Sequence, residues 1–226
     1  MGSSGASSSS SGSAYRPLVK VCGVTNAADA EAAARAGASF IGMIMWPQAK
    51  RAVSDETAAA IAAAARRHGA QAVGVFVDED AATIARRCGA AGVGVAQLHG
   101  DGARAALDGV VYVMHASLEG EILTQLPAAG EGGRRPDWLL VDGQQGGSGQ
   151  AYDWTNLRVP DAGSRGWMLA GGLHPGNVAA AVAAARPGVV DVSSGVCGPD
   201  GLLKDHSKVE AFIAAAVGAV AAPATR

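Results

Sequence analysis

Large aromatic side chains and concentrated charge are both scarce in this sequence of 226 residues. Aromatic residues make up 4 % of it, so the apolar half of the composition (49 %) is carried mainly by alanine and valine. The formal net charge is −2, and the charged residues (17 %) are dispersed along the chain. Nucleic acids and anionic membranes attract proteins with a basic face. The composition therefore argues against both kinds of partner and favours a globular core.

Cysteine, paired histidine and long apolar runs are also scarce. The three cysteines, Cys22, Cys88 and Cys197, form no CxxC pair, and their odd number argues against a disulfide framework. The five histidines stand singly, so we expect no metal site. The longest apolar run, 211–222, is shorter than the roughly 20 residues that a membrane span needs. We therefore expect a protein without disulfides, metal or a membrane anchor.

The first 15 residues are rich in serine and contain no acidic side chain. Such a segment cannot pack a core, and it lacks the apolar centre of a secretory signal. We predict that residues 1–15 form a disordered tail. The composition fits either a simple flexible tail or the remnant of an organelle transit peptide.

From residue 16 onward one pattern repeats: a short run rich in valine and isoleucine, a loop with glycine, and an alanine-rich stretch. The apolar runs are continuous rather than alternating, which is typical of strands buried on both faces of a parallel sheet. The eight predicted strands are 18–23, 40–45, 72–77, 93–100, 110–116, 138–143, 167–172 and 189–195.

Helical stretches lie between many of these runs, with cap residues at their starts. Asn26 and Ser54 precede two of them, and Gly37 and Gly69 follow as helix stops. The predicted helices are 27–36, 55–67, 79–87, 102–108, 176–185 and 205–217. Eight strand–helix units predict an α/β fold, a single-domain (β/α)₈ TIM barrel over residues 16–226. A doubly wound sheet is the alternative, but the first turn lacks its GxGxxG pattern.

In a (β/α)₈ barrel the active site forms at the carboxyl ends of the strands. Cys22 ends the first predicted strand, and Asp142 ends the sixth. These strands lie three apart around the ring, so the two side chains should face each other across the barrel mouth. A thiol and a carboxyl placed in this way can serve as base and acid. The alternative for Cys22 is a small buried apolar side chain.

Two further candidates carry polar side chains near the mouth. Arg51 follows the second strand, and its guanidinium suits a carboxylate or phosphate. It could equally be a solvated surface charge. His99 ends the fourth strand and could donate to a substrate or satisfy its own loop.

The seventh and eighth predicted strands end in small residues, at positions where barrels commonly bind phosphate. The residues are Gly171 and Gly172 at one strand end and Ser193, Ser194 and Gly195 at the other. Small side chains let backbone amides approach phosphate oxygens closely. The alternative is that the glycine pair only turns the chain.

Seven segments together resemble the phosphoribosylanthranilate isomerase family, in order and spacing. The segments are VKVCGVT (19–25), DAEAAARAGASFIGMIMWPQAKRAVS (29–54), VGVFVDED (73–80), QLHG (97–100), LLVDGQQGGSGQAYDW (139–154), LAGGLHPGNV (169–178) and DVSSGVCGPDGLLKD (191–205). The resemblance is to the plant and green-algal branch, because Cys197 stands where bacterial relatives usually have glutamate.

The resemblance implies an Amadori rearrangement in tryptophan biosynthesis that needs no cofactor and no metal. N-(5-phospho-β-D-ribosyl)anthranilate would become 1-(2-carboxyphenylamino)-1-deoxyribulose 5-phosphate. The family pattern assigns Cys22 as general base, Asp142 as general acid and Arg51 as the ligand of the anthranilate carboxylate, with the two small-residue loops on the phosphate. Gly143 and Gln150 depart from the family pattern, which usually has serine and lysine there.

The resemblance also implies a class of substrate, a cellular location and an oligomeric state. We expect a small-molecule substrate, a chloroplast location (with the cytoplasm as the alternative), and a monomer or homodimer. Indole-glycerol-phosphate synthase and the tryptophan synthase α subunit are rival barrels, but they need Lys or Glu at strand ends, whereas Lys20 lies inside strand 1. A metal-dependent epimerase and an inactive phosphate-binding barrel are the remaining alternatives.

Overall fold

The computed structural model describes residues 15–99, 110–126, 135–144 and 151–219. Its strands are β1 (Leu18–Val21), β2 (Phe40–Ile44), β3 (Gln71–Phe76), β4 (Val95–Leu98), β5 (Val110–Ala116), β6 (Trp138–Gly143), β7 (Trp167–Leu169) and β8 (Val189–Val192). Its α-helices are α1 (Ala27–Arg35), α2 (Asp55–Arg67), α3 (Ala81–Ala91), α4 (Val178–Ala185) and α5 (His206–Gly218). Single 3₁₀ turns cover Trp154–Asn156 and Ser194–Val196.

The eight strands form a closed barrel in which each strand pairs in parallel with its sequence neighbours and β8 pairs with β1. This confirms the predicted (β/α)₈ architecture. Within the described residues, α-helices follow β1, β2, β3, β7 and β8, whereas a 3₁₀ turn stands between β6 and β7. The helix predicted at 102–108 lies outside the described residues.

The helix ends follow from local chemistry. The Asn26 side chain accepts a hydrogen bond from the Asp29 amide at the start of α1, and Ser54 accepts from Thr57 at the start of α2. These bonds satisfy amides that lack a partner within the helix. Gly37 and Gly69 follow the two helices with φ of 110° and 78°, a conformation that favours glycine. The predicted starts and stops are confirmed.

Side chains at alternate strand positions point into the barrel. The lower interior is apolar and filled by Phe40, Val73, Val111, Val113, Trp138, Leu140, Met168, Ala170 and Val189. The Phe40 and Trp138 rings meet edge to face, with centroids 6.1 Å apart, although their strands lie on opposite sides of the ring. The barrel is therefore closed below its mouth by packed side chains.

Nearer the carboxyl ends of the strands, the inward-facing positions carry polar residues. Two positions after Val113 comes His115, two after Leu140 comes Asp142, and two after Val189 comes Asp191. Because a strand repeats every two residues, these side chains face the same interior as the apolar layer beneath them. The chemistry thus gathers at the carboxyl ends of the strands, on an apolar floor.

Tyr15 is the first of the described residues, and residues 1–14 of the predicted tail lie outside them. The Tyr15 hydroxyl donates to the Pro187 carbonyl, and the Arg186 guanidinium lies over its ring, 4.9 Å from the centroid. The described fold therefore includes Tyr15, one residue before the predicted boundary. None of the helices in the described ranges is long and apolar enough to cross a membrane.

Candidate active site

Cys22 lies one residue beyond β1, at the barrel mouth. Its amide donates to the Val192 carbonyl at 2.8 Å, which fixes the chain between β1 and β8. The residue is 7 % exposed, and it lies two positions after Lys20 on the same face of the strand. The thiol is therefore directed into the barrel, where the sequence places it.

Asp142 is the penultimate residue of β6, beside His115 of β5 in the strand register. One carboxylate oxygen accepts from the Gly143 amide at 2.8 Å. Burial raises the pKa of Asp142 and the charge of Asp191 raises it further, while the Gly143 hydrogen bond and His115 act in the opposite direction. The carboxyl group therefore keeps its proton to a higher pH than an exposed aspartate, as a proton donor requires.

A buried ion pair lies between these two groups. Lys20 Nζ of β1 and Asp191 Oδ1 of β8 are 3.0 Å apart, and the Lys20 side chain is completely buried. Burial by itself lowers the pKa of Lys20, but Asp191 and Cys22 together raise it above its ordinary value. Lys20 is therefore charged inside the barrel. The sequence identifies neither member of this pair as a site residue, although a single charge inside each run, LVKV and VVDV, is the signal that could have found them.

His99 lies beside a second histidine on the neighbouring strand. The His99 and His115 ring centroids are 6.3 Å apart, and the Gln97 amide nitrogen is 3.3 Å from His99 Nε2. Burial lowers the pKa of His99 to about 4, with contributions from His115 and Lys20. His99 is thus neutral at physiological pH. When Gln97 donates to Nε2, the proton of the neutral ring is on Nδ1, which is then available as a donor.

Arg51 reaches over the ends of β1 and β8. Its Nη1 lies 3.7 Å from the Cys197 sulfur, and a β-carbon at Gly23 would lie 2.5 Å from the same nitrogen. The backbone of Gly23 has φ of 68°, which also favours glycine. The guanidinium is therefore held beside the Cys22 loop rather than solvated on the surface.

Lys204 is a second cation at this place, and the sequence analysis missed it. Its Nζ donates to the Ser193 carbonyl at 2.9 Å and to the Cys197 sulfur at 3.5 Å. Burial lowers the pKa of Lys204, while Cys197 opposes this effect. Its partners belong to the loop after β8, and the sequence alone does not show that a lysine just before α5 folds back onto that loop.

The loops after β7 and β8 pack against the catalytic candidates. Gly171 and Gly172 have φ of 88° and 64°, and a β-carbon at Gly171 would lie 3.1 Å from Asp142 Oδ1. In the other loop, the Ser193 hydroxyl donates to the Cys22 carbonyl at 3.1 Å.

The same two loops also contact each other. Ser194 begins the 3₁₀ turn, and a β-carbon at Gly195 would lie 2.0 Å from the Leu173 carbonyl. The structure therefore brings every predicted site residue to the barrel mouth, with the two small-residue loops side by side. Within the described ranges, no group of three or more His, Cys, Asp or Glu could hold a metal ion.

Comparison with known proteins shows which family the chain belongs to. Residues 19–215 match the family described as N-(5'-phosphoribosyl)anthranilate (PRA) isomerase. The chain belongs to the phosphoribosylanthranilate isomerase family. It is therefore an isomerase, and the resemblance seen in the sequence motifs is confirmed.

Relatives with this fold span plants and bacteria. The chain is 46 % identical over 207 residues to N-(5'-phosphoribosyl)anthranilate isomerase 1, chloroplastic, of Arabidopsis thaliana, covering 88 % of this chain and 74 % of the relative. It superimposes on a structure described as mutually generated monomers of the dimeric enzyme from Thermotoga maritima, with a TM-score of 0.68, 29 % identity, and coverage of 89 % of this chain and 99 % of that chain. A phosphoribosyl anthranilate isomerase in complex with reduced 1-(o-carboxyphenylamino)-1-deoxyribulose 5-phosphate gives a TM-score of 0.67, 27 % identity and the same coverage.

Proposed function

We propose that this isomerase of tryptophan biosynthesis converts N-(5-phospho-β-D-ribosyl)anthranilate to 1-(2-carboxyphenylamino)-1-deoxyribulose 5-phosphate, with Asp142 as general acid and Cys22 as general base. One observation carries the assignment of roles. Asp142 has a pKa raised by burial and by Asp191, whereas the thiol on the opposite side of the mouth lies beside the charged Lys20. A carboxyl that keeps its proton and a thiol beside a cation are the two states that the reaction needs.

The reaction divides between these two groups. Protonated Asp142 donates to the furanose ring oxygen, the bond from that oxygen to carbon 1 breaks, and the open sugar is a Schiff base. The Cys22 thiolate then takes the proton from carbon 2, which gives an enolamine. The enolamine becomes the ketone when carbon 1 takes the proton from the Cys22 thiol and the carbon-2 hydroxyl gives its proton to the Asp142 carboxylate, which restores both groups. Only proton transfers are required, so we propose that neither a cofactor nor a metal takes part.

The cationic side of the mouth suits the anthranilate carboxylate. Arg51 Nη1 lies beside the Cys22 loop and 3.7 Å from the Cys197 sulfur, and the Lys204 ammonium lies 3.5 Å from the same sulfur. A planar guanidinium can bind a carboxylate with two parallel hydrogen bonds. We assign the carboxylate contact to Arg51, because Lys204 is occupied by the Ser193 carbonyl.

The two adjacent loops after β7 and β8 suit the phosphate. Gly171 and Gly172 in one loop and Ser193 to Gly195 in the other have side chains no longer than that of serine. Backbone amides presented in this way are a common phosphate site of barrels. His99, on the far side of the mouth, would donate through Nδ1 to a hydroxyl of the open sugar.

Substitution of the two proton-transferring groups tests these roles. Cys22→Ser and Asp142→Asn should each lower kcat by about 10²–10⁴ while the chain stays folded, because removal of a general acid or base typically costs this much. The loss of the fluorescence of the anthranilate sugar measures the rate, and circular dichroism checks folding. Cys88→Ser, on α3, and the exposed Asp161→Asn are matched controls that should keep full activity. A folded Cys22→Ser enzyme that retains more than about a tenth of kcat would remove Cys22 as the base.

The location and assembly are proposed on the strength of the relatives. The Arabidopsis relatives are chloroplastic, and the serine-rich, acid-free start of this chain fits a transit segment. We propose a chloroplast location. Import of the full chain fused to a fluorescent protein, compared with a chain lacking residues 1–14, tests it, since a cytoplasmic full-length fusion would contradict it. We also propose a monomer or a homodimer, which sedimentation measures directly.

A further inference from the structure

The ion pair of Lys20 and Asp191 is not used by the mechanism above. Its two atoms are 3.0 Å apart in the barrel interior, and the two residues are partners in the register of β1 and β8. A buried pair of this kind adds little net stability, because both charges lose their hydration. Its position between the two catalytic candidates suggests what it contributes instead.

Each end of the pair is next to one catalytic group. Lys20 lies two positions before Cys22 on the same strand face, and Asp191 and Cys22 together raise the pKa of Lys20 although burial lowers it. Asp191 acts on the other catalytic residue, because its charge is the second largest cause of the raised pKa of Asp142. The cationic end therefore faces the base and the anionic end faces the acid.

We propose that the Lys20–Asp191 pair sets the opposite protonation states of the two catalytic groups, with the ammonium favouring the Cys22 thiolate and the carboxylate favouring protonated Asp142. The proposal rests on the catalytic roles assigned above. Neither Lys20 nor Asp191 transfers a proton to substrate, so both are positioning residues that act through charge. The same ion pair thus favours the charge state that each proton-transfer step needs. The cation and the anion, 3.0 Å apart, shift the ionisation of the groups at their two ends in opposite directions.

Other charged and titratable groups also face the catalytic pair. Burial lowers the pKa of Lys204, in the loop after β8, while Cys197 and Cys22 act in the opposite direction, and Arg51 lies beside the following Gly23. Both cations are unchanged in the variants below.

The groups around Asp142 differ in their charge and in their effect on ionisation. His115 of β5 and Lys20 lower the pKa of Asp142. Burial raises the pKa of the neighbouring Tyr152, and the Asp142 charge raises it further. All of these groups except Lys20 and Asp191 are unchanged in the variants below, so a shift measured there belongs to the ion pair.

The test is the dependence of kcat/KM on pH, which is bell-shaped for a reaction that needs an ionised base and a protonated acid. Lys20→Met should move the acid limb, which belongs to the base, to higher pH by about one unit or more. It should also move the alkaline limb to higher pH by a smaller amount, because Lys20 lowers the pKa of Asp142. Asp191→Asn should move the alkaline limb, which belongs to the acid, to lower pH by a similar amount. The double variant should show both shifts, and Lys20→Arg should restore the acid limb.

A double variant and a control variant complete the test. A single variant leaves one buried charge unpaired and can fail to fold, whereas the double variant contains no unpaired charge. The matched control is Asp55→Asn, which breaks the ion pair of Asp55 with Arg87 outside the barrel, where Asp55 Oδ1 lies 2.6 Å from Arg87 Nε. This control should leave both limbs in place. The rate of Cys22 alkylation by iodoacetamide, with Cys22→Ser as the baseline, gives a second readout of the acid limb.

The possible results distinguish failure of the charge-setting role from failure of the catalytic roles. An acid limb moved to higher pH by Lys20→Met and an alkaline limb moved to lower pH by Asp191→Asn support the charge-setting role. Folded variants, including the double variant, whose activity falls equally at every pH would overturn it and leave the pair with a structural role only. Failure of the catalytic assignment looks different, because Cys22→Ser or Asp142→Asn would then remain active whatever the ion-pair variants do.

Discussion

The sulfur of Cys22 packs directly against Gly42 of the neighbouring strand. A β-carbon at position 42 would lie 2.8 Å from the sulfur and 3.1 Å from the Cys22 α-carbon. Real β-carbons essentially never approach other atoms as closely as 2.8 Å. Gly42 therefore provides the space in which the thiol faces the interior of the barrel.

Gly42→Ala should displace the thiol and lower kcat about tenfold or more, because small misplacements of a reacting group are costly. Steady-state kinetics measures the loss, and the thermal midpoint reports any change in stability. Gly94→Ala is the matched control, since a β-carbon there meets nothing within 4 Å. If both variants have wild-type kcat, the orientation of Cys22 does not depend on Gly42.

Arg51→Ala should raise KM by about tenfold to a hundredfold with a much smaller effect on kcat. The reason is that a charged hydrogen bond contributes about 1.5–3 kcal/mol, and the anthranilate carboxylate changes little during the reaction. Initial rates over a range of substrate concentrations separate the two constants. Arg158→Ala is the control, because Arg158 is exposed and bonds only local carbonyls among the contacts described. An unchanged KM would remove Arg51 from the substrate site.

Dialysis against EDTA should leave kcat and KM unchanged. The proposed chemistry needs a proton donor and a proton acceptor, both supplied by side chains. The measurement compares the enzyme before dialysis, after dialysis and after the addition of divalent cations. A loss of activity that a metal restores would contradict the cofactor-free reaction.

Asp142→Asn should make the protein more stable at pH 8, by on the order of 1 kcal/mol. The folded-state pKa of Asp142 is raised above the unfolded value by burial and by Asp191. The stability that this carboxyl contributes is therefore complete below its unfolded pKa and is lost as pH rises through its folded pKa. Asparagine does not titrate, so the variant escapes that loss.

Urea denaturation at pH 8 and at pH 4 measures this difference. The gain of Asp142→Asn over the wild type should shrink at the lower pH, while the exposed Asp161→Asn should show no such change. A gain that is equal at both pH values would mean that the ionisation of Asp142 is not its cause.

Much of the fold could be predicted because its strands and helix starts depend on short stretches of sequence. Buried parallel strands appear as apolar runs, and the helix starts at Asn26 and Ser54 need only a side chain and an amide three residues later. The strand ends were less exact: the run 189–195 contains β8 only to Val192, because Ser194 begins a 3₁₀ turn. That difference moves the serines from the sheet into a loop.

The missed site residues depend on closure of the barrel. Lys20 and Asp191 are 171 residues apart, and each in isolation is a single charge inside an apolar run. The direction of each side chain, and hence the pairing, is fixed only when β8 meets β1. Lys204 is similar, since its contact with the Ser193 carbonyl requires the chain to fold back before α5.

The pairing of Lys20 with Asp191 also has a consequence for how the barrel assembles. Sliding β1 by two residues along β8 would keep the inward faces matched, but it would place Lys20 opposite Val189 instead of Asp191. Each charge would then lie unpaired in the interior, which costs about 3–5 kcal/mol. The ion pair thus marks the correct alignment at the seam where the first and last strands join. We expect closure of the barrel and completion of its active site to occur as one event.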